Sequence, residues 1–369
     1  MAKRGAAIEL EKEDGPWSTS DLHGHENAEA LLLRAHQSGR LPHAWMISGP
    51  RGIGKATLAY RFARYLQADA AAQSGGLFGD DVPPISMAIS LDNPAFQQIA
   101  GQGHPGVVTV SRSMNEKTKK RRAEIVVDDV RKMQGMFAMT SAQDSWRIAI
   151  VDAADEMTRQ AANALLKLLE EPPARSLLLL VAHAPGQVLT TIRSRCQHLK
   201  LRALDAPDLA AVLAAREIDM PAGQGDLIAV LSEGRPGHAI NLMEGGGVDL
   251  YHMVRDLMAG GRRIDMRGVH ALGDKVAKAG ADDVFRLFIE LFEGFLFRLI
   301  RYASGAGEGD VAIPGESELF AALAGATALD QWIEVWENSR QLFNRTMAVN
   351  LDKKQAVIIA FNDVQKLLK

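Results

Sequence analysis

The residues with the plainest chemical potential are Gly49-Pro50-Arg51-Gly52-Ile53-Gly54-Lys55-Ala56-Thr57. Their spacing is that of GxxxxGK followed by Ser or Thr, a loop whose glycines let backbone N–H groups turn inward around phosphate oxygens. The helix that follows adds the positive end of its dipole, and Lys55 adds a point charge. One position departs. Ala56 stands where a hydroxyl would hold Mg²⁺, and Thr57 comes one residue late. Gly49, Gly52, Gly54, Lys55 and Thr57 are candidate nucleotide-binding residues, with a glycine-rich turn that takes no ligand as the alternative.

A second group lies in residues 147–196. Ile148-Ala149-Ile150-Val151-Asp152 has the form of a strand whose terminal carboxylate orients Mg²⁺ and its water. The next residue in a working ATPase of this kind is usually Glu, which polarises the attacking water; here it is Ala153. Asp155 and Glu156 follow after a turn and are poorly placed to replace it. His183-Ala184-Pro185 stands where a small polar residue would sense a γ-phosphate, although a capping or surface histidine is the favoured reading. Arg195, in Ser194-Arg195-Cys196, would project away from its own loop and could enter a neighbour's site as an arginine finger. The residues alone favour a structural ion pair over that role.

These groups need a scaffold of strands and helices. The apolar run 43–48 predicts a strand before the loop, and 57–66 an amphipathic helix after it. Residues 27–37 carry helical apolar spacing, closed by Gly39. Thr158 is placed to cap a helix through residue 171, which Pro172-Pro173 ends; residues 177–182 form a second buried strand and 187–193 a short helix. Asp128 is expected to cap a helix over 129–139. Residues 67–106 are rich in Ala, Gly, Pro and Ser and predict an insertion of loops and short helices. Residues 112–122 hold six basic residues against one acid; a solvated loop is favoured over a phosphate contact, because no aromatics interleave for base stacking. Residues 284–302 are apolar on most sides and predict a helix buried by other helices.

A chain of 369 residues suggests two or three domains. A hydrophobic content of 47% excludes a disordered chain, and a net charge of -3 confines any polyanion binding to local patches. One cysteine excludes a disulfide framework and a four-thiolate zinc site. No apolar run reaches the ~18 residues of a membrane span, and the start lacks a secretory core, so a soluble cytoplasmic protein is expected.

With the glycine loop, Asp152, the run NALLKLLEEPP at 163–173 and Ser194-Arg195-Cys196 in place, the chain resembles the bacterial DNA polymerase III clamp-loader subunits of the AAA+ class, most of all the delta-prime type. His25-Glu26 and Leu41-Pro42-His43-Ala44 resemble that subunit's start. The resemblance covers most of the first 245 residues. It implies an α/β AAA+ P-loop domain with a parallel sheet flanked by helices, a small helical lid, and an all-helical C-terminal collar. The expected limits are a flexible leader 1–20, the P-loop core 21–203, the lid 204–250 and the collar 251–369. The 67–106 insertion stands where many relatives carry a four-cysteine zinc module, and no metal is expected there.

Compared with gamma/tau motors, the site is degenerate at Ala56 and Ala153, and Gly237 stands where a motor presents a sensor arginine. The resemblance implies little or no hydrolysis by the chain itself, no required cofactor, and ATP or ADP with Mg²⁺ as a weak or vestigial ligand. It implies that Arg195 is the catalytic residue, acting in trans on a gamma/tau neighbour. The implied partners are gamma/tau and delta subunits in a hetero-pentamer, with the sliding clamp and primer-template DNA reached through the complex and no membrane. Membership of the DNA-directed DNA polymerase holoenzyme, a nucleotidyltransferase, would follow. An active AAA+ motor, either gamma/tau-like or of the Holliday-junction helicase type, is the alternative.

Overall fold

The computed structural model describes residues 15–75, 84–114, 122–138, 145–220, 223–278, 282–306 and 311–369. Most of the expected leader, residues 76–83 of the insertion and residues 115–121 of the basic segment lie outside the described residues. The chain divides into two compact units, Met1–Ala203 and Leu204–Lys369.

The first unit contains α1 (Glu26–Gln37), β1 (Ala44–Ser48), α2 (Lys55–Gly75), α3 (Pro94–Ala100), β2 (Val107–Val110), α4 (Val127–Ala138), β3 (Arg147–Asp152), α5 (Arg159–Glu170), β4 (Ser176–Ala182), α6 (Thr190–Arg193) and β5 (Gln197–Lys200). All five strands run parallel in the order β2-β3-β4-β1-β5. Parallel strands are joined by crossovers that cover both faces with helices, which is why β1 and β4 read as unbroken apolar runs. Side chains alternate between those faces. Trp45, Ile47, Ile148, Ile150, Leu177 and Leu179 pack with Leu58, Phe62 and Leu66 of α2. Met46, Ala149, Val151, Leu178 and Leu180 pack on the other side with Met133 and Phe137 of α4 and Leu165 and Leu169 of α5.

The register fixes where chemistry is available. Ser48 pairs with Ala182 and Asp152 pairs with Val181, so the loop after β1, the carboxylate ending β3 and the turn after β4 share one edge. That edge is formed by strand C-termini, where open α/β sheets bind their ligands.

Several local expectations shift. The helix after the glycine loop runs on to Gly75, so the irregular segment begins later than residue 67. Buried arginines of α2 organise what flanks it. Arg61 meets Glu29 at 3.1 Å and donates to the Ser20 carbonyl at 2.5 Å, while Glu29 also accepts from the Met87 amide at 2.5 Å. Arg64 stacks on Phe96 at 4.6 Å and donates to the Thr19 carbonyl. Asp128 is not a cap, because α4 already starts at Val127. Asp129 instead reaches back to the Val126 amide at 3.2 Å, as in a capping box, and Asp128 pairs with Arg131. Thr158 does cap α5, accepting from Ala161 N at 3.2 Å. The strands β2 and β5, of four residues each, are too short for a period to mark them, although all four residues of β2 are β-branched.

In the second unit, α7 (Ala206–Ala215), α8 (Gly225–Ser232) and α9 (Pro236–Glu244) enclose Leu209, Leu213, Ile228 and Ala239. They are followed by α10 (Gly247–Ala259), α11 (Met266–Val276), α12 (Asp282–Ala303), α13 (Glu316–Ala326), α14 (Leu329–Val349) and α15 (Lys353–Leu367). The apolar segment 284–302 lies in α12, whose phenylalanines are buried except Phe297, which is exposed. Phe343 of α14 meets Phe285, Phe288 and Phe292 edge-on, with ring centroids 5.7–6.2 Å apart. Inside the unit, fully buried Glu316 accepts from the Tyr251 hydroxyl and from the Ala312 amide at 2.5 Å, and Arg298 donates to the same hydroxyl at 2.6 Å. Among the described residues no helix is long and apolar enough to cross a membrane.

Phe343→Ala removes the ring that three others share and leaves a cavity, an expected loss of about 3–5 kcal/mol. Denaturant unfolding of the full chain should show that loss in the transition reported by the helical second unit.

Candidate functional site

The loop after β1 is held at both ends before any ligand is considered. Gly49 N donates to Ala182 O of β4, and Leu201 N to Ser48 O. Gly49 has φ +150°, and a Cβ there would stand 2.8 Å from the Leu201 carbonyl oxygen, so the position requires glycine. Gly52 and Gly54 also lie at positive φ, +80° and +102°. The imidazole of His25, buried at the start of α1, hydrogen-bonds the Ile53 carbonyl through Nε2 at 2.7 Å and packs against Gly54. His25 is a supporting residue that the sequence did not mark as one. It lies 28 positions from its partner, and no spacing pattern joins them.

Lys55 opens α2 and is 3% exposed. Its ammonium donates to the carbonyls of Gly49 at 2.7 Å and Pro50 at 2.6 Å. Burial pushes its pKa down to about 8, against the opposing pull of Asp152 and Asp155. Those two carboxylates act on Lys55 electrostatically, so Lys55, the glycine loop and Asp152 form one group at the sheet edge. Ala56 and Thr57 follow in the first turn of α2 and are half-buried.

The turn after β3 assigns its acids to other work. Ala153 is 1% exposed, so a methyl group stands where the sequence comparison looked for a carboxylate. Asp155 accepts from the backbone amides of His183 at 2.8 Å and Ala184 at 3.0 Å, tying this turn to the end of β4. Glu156 meets Arg112 at 2.9 Å and the loop residue Arg51 at 3.8 Å. Arg112, the first residue of the basic segment, is thereby bound to its own chain. His183 is half-buried rather than a surface residue, and its buried Nδ1 makes no hydrogen bond. Burial, then the Lys55 charge, pushes its pKa down to about 4, so the ring is neutral at neutral pH.

Arg195 is not part of that group. It lies just beyond α6 and is exposed, with one nitrogen donating to Thr191 O at 3.1 Å and another 3.0 Å from Oε1 of Glu170. The ion pair that the residues alone favoured is therefore present. Cys196 beside it is half-buried, and burial pushes its thiol up to about 12, which leaves it unreactive.

Because Lys55 is lowered in the folded chain relative to its ordinary value of 10.5, the unfolded chain holds an extra proton between about pH 8 and 10.5. Stability conferred at this site should rise with pH through that window and be flat below it. Chemical denaturation of wild type against Lys55→Met should show the difference narrowing in favour of wild type as pH increases from 8 to 10.5.

Over residues 24–205 the chain matches the family described as DNA polymerase III, delta subunit. It is 34% identical over 211 residues to the DNA polymerase III subunit delta' of Pseudomonas aeruginosa, covering 56% of this chain and 58% of that protein. It is 32% identical over 199 residues to the subunit gamma/tau of Mycobacterium tuberculosis, covering 54% of this chain and 31% of that one. The chain thus spans less than two thirds of the length of these relatives. A solved DNA polymerase III gamma subunit-related protein of Thermotoga maritima aligns with 92% of this chain and 100% of its own at 16% identity, with a TM-score of 0.37. Through its first unit, the chain is similar to DNA polymerase III clamp-loader subunits over about half of its length.

Proposed function

We propose that the chain is a delta-prime-like stator of the DNA polymerase III clamp loader. It would join gamma/tau and delta subunits in a hetero-pentamer and help place the sliding clamp on primer-template DNA. Arg195 would reach a neighbouring gamma/tau nucleotide as an arginine finger, while the chain's own site hydrolyses little or no ATP.

The observation that carries this reading is the buried Ala153 beside two carboxylates committed elsewhere. Asp155 holds the amides after β4 and Glu156 holds two arginines, so neither is free to polarise a water. A general base must reach the proton that it abstracts.

The residues at the loop fit a polyphosphate. Gly49, Gly52, Gly54 and Lys55 would hold its oxygens and Asp152 a magnesium ion, while the Thr57 hydroxyl comes one residue late for that ion. The group would supply phosphoryl chemistry only where a hydroxyl and a base accompany it, and Ala56 and Ala153 furnish neither. ATP or ADP is on this reading a weak or vestigial ligand. The intact loop and Lys55 favour the second reading, an active gamma/tau-like motor, and the same measurement separates the two.

Purified alone, the chain should hydrolyse ATP at background rates that Lys55→Ala leaves unchanged; turnover abolished by that substitution establishes the motor instead. In a loader reconstituted with gamma/tau and delta partners, Arg195→Ala should preserve assembly by gel filtration. It should lower ATPase stimulated by clamp and primed DNA. An arginine finger contributes on the order of 10³-fold at its own site, so the overall loss is set by that site's share of the total rate.

A further inference from the structure

The two contacts of Arg195 have a shared origin in helix electrostatics. Glu170 is the last residue of α5, where a carboxylate faces the negative end of the helix dipole. Arg195 lies one residue beyond the cap of α6, where a cation is favoured by the same rule. The unfavourable carboxylate and the nearby cation meet at 3.0 Å.

Glu170 is itself fixed. The preceding residue, Leu169, is buried, and its carbonyl bonds Nε2 of His43, just before β1, at 3.1 Å. The amide of Glu171 closes on Lys167 O, and Pro172 and Pro173 prevent further helix. Ala161, Leu165 and Leu169 seat α5 on the sheet. The carboxylate that holds Arg195 thus stands on a rigid element.

With side chains 39% and 52% exposed, the pair contributes little to stability. Its effect is directional. A free arginine samples many rotamers, and holding it in one removes an entropy loss from any later contact. A guanidinium has five N–H donors in a fixed fork. Thr191 takes one of them and Glu170 faces another nitrogen at 3.0 Å, so the fork still offers donors to an outside anion.

We propose that Glu170 is the positioning residue of Arg195, holding the guanidinium in the direction from which it meets a phosphate group of a neighbouring subunit's nucleotide. This rests on the trans role of Arg195 proposed above, and the test separates the two. The opposite possibility, that Glu170 withholds Arg195, predicts the opposite sign.

The experiment uses the reconstituted loader carrying Glu170→Ala, Glu170→Gln, Arg195→Ala or Glu170→Ala with Arg195→Ala, and measures kcat and KM for ATP with clamp and primed DNA. Misplacing a catalytic group by ~1 Å costs up to about 10²-fold. Glu170→Ala is therefore expected to lower kcat by at least about tenfold at the site that Arg195 serves, with KM little changed. Glu170→Gln, which keeps an acceptor, should fall between it and wild type. The double variant should be no slower than Arg195→Ala, since the carboxylate acts only through the arginine. A loss in the double variant beyond that of Arg195→Ala shows a general structural effect and overturns the proposal. If Arg195→Ala slows the loader while Glu170→Ala leaves it unchanged or faster, the positioning role is overturned and the finger stands. An unchanged rate in Arg195→Ala overturns both.

Discussion

Everything in the first unit depends on one constraint: a parallel sheet must be covered on both faces. Helices over the faces take up the alternating apolar residues of β1, β3 and β4, leaving the strand ends to meet ligands. The register then decides which residues share that edge. Ser48 beside Ala182 and Val181 beside Asp152 put the glycine loop, the terminal carboxylate and the segment at His183 within one electrostatic neighbourhood. The fold supplies this edge whether or not the residues on it are competent for hydrolysis.

How a few charges are satisfied sets which groups at that edge are held. Buried carboxylates and cations are stable only when paired or hydrogen-bonded. Asp155 and Glu156 meet that requirement with backbone amides and with Arg112 and Arg51. Lys55 meets it with carbonyls of its own loop. Each such contact steadies the edge. At Ala153 there is no charge to satisfy. The same rule works outward at Glu170, where the carboxylate ending α5 is offset by an arginine that remains exposed.

The second unit rests on a different device, the edge-on packing of aromatic rings across helices. Phe343 is the common partner of three rings from α12, and Phe361 packs on Phe292 at 5.2 Å. Such a core sets helix positions through shape rather than through hydrogen bonds. The buried Glu316 is the exception within it, satisfied by Tyr251 and the Ala312 amide.

Much of this was legible in the residues. The glycine spacing, the apolar strands, Thr158 as a cap and Pro172-Pro173 as a stop are local signals, each set by backbone sterics or by hydrogen bonds spanning a few residues. So were the alanines at 56 and 153, because a side chain that is absent from the sequence is absent from every fold. What tertiary structure decided was partnership. His25 supports a loop 28 residues away, and Asp155 holds amides 28 and 29 residues on. Glu156 is shared between Arg51 and Arg112, and Arg195 is turned onto Glu170. The short edge strands β2 and β5 belong with these, since four residues are too few to show a period and their place at the edge is set by the neighbour they pair with. Charge and hydrogen-bond pairing depend on distance in space, and only the sheet register brings such residues together.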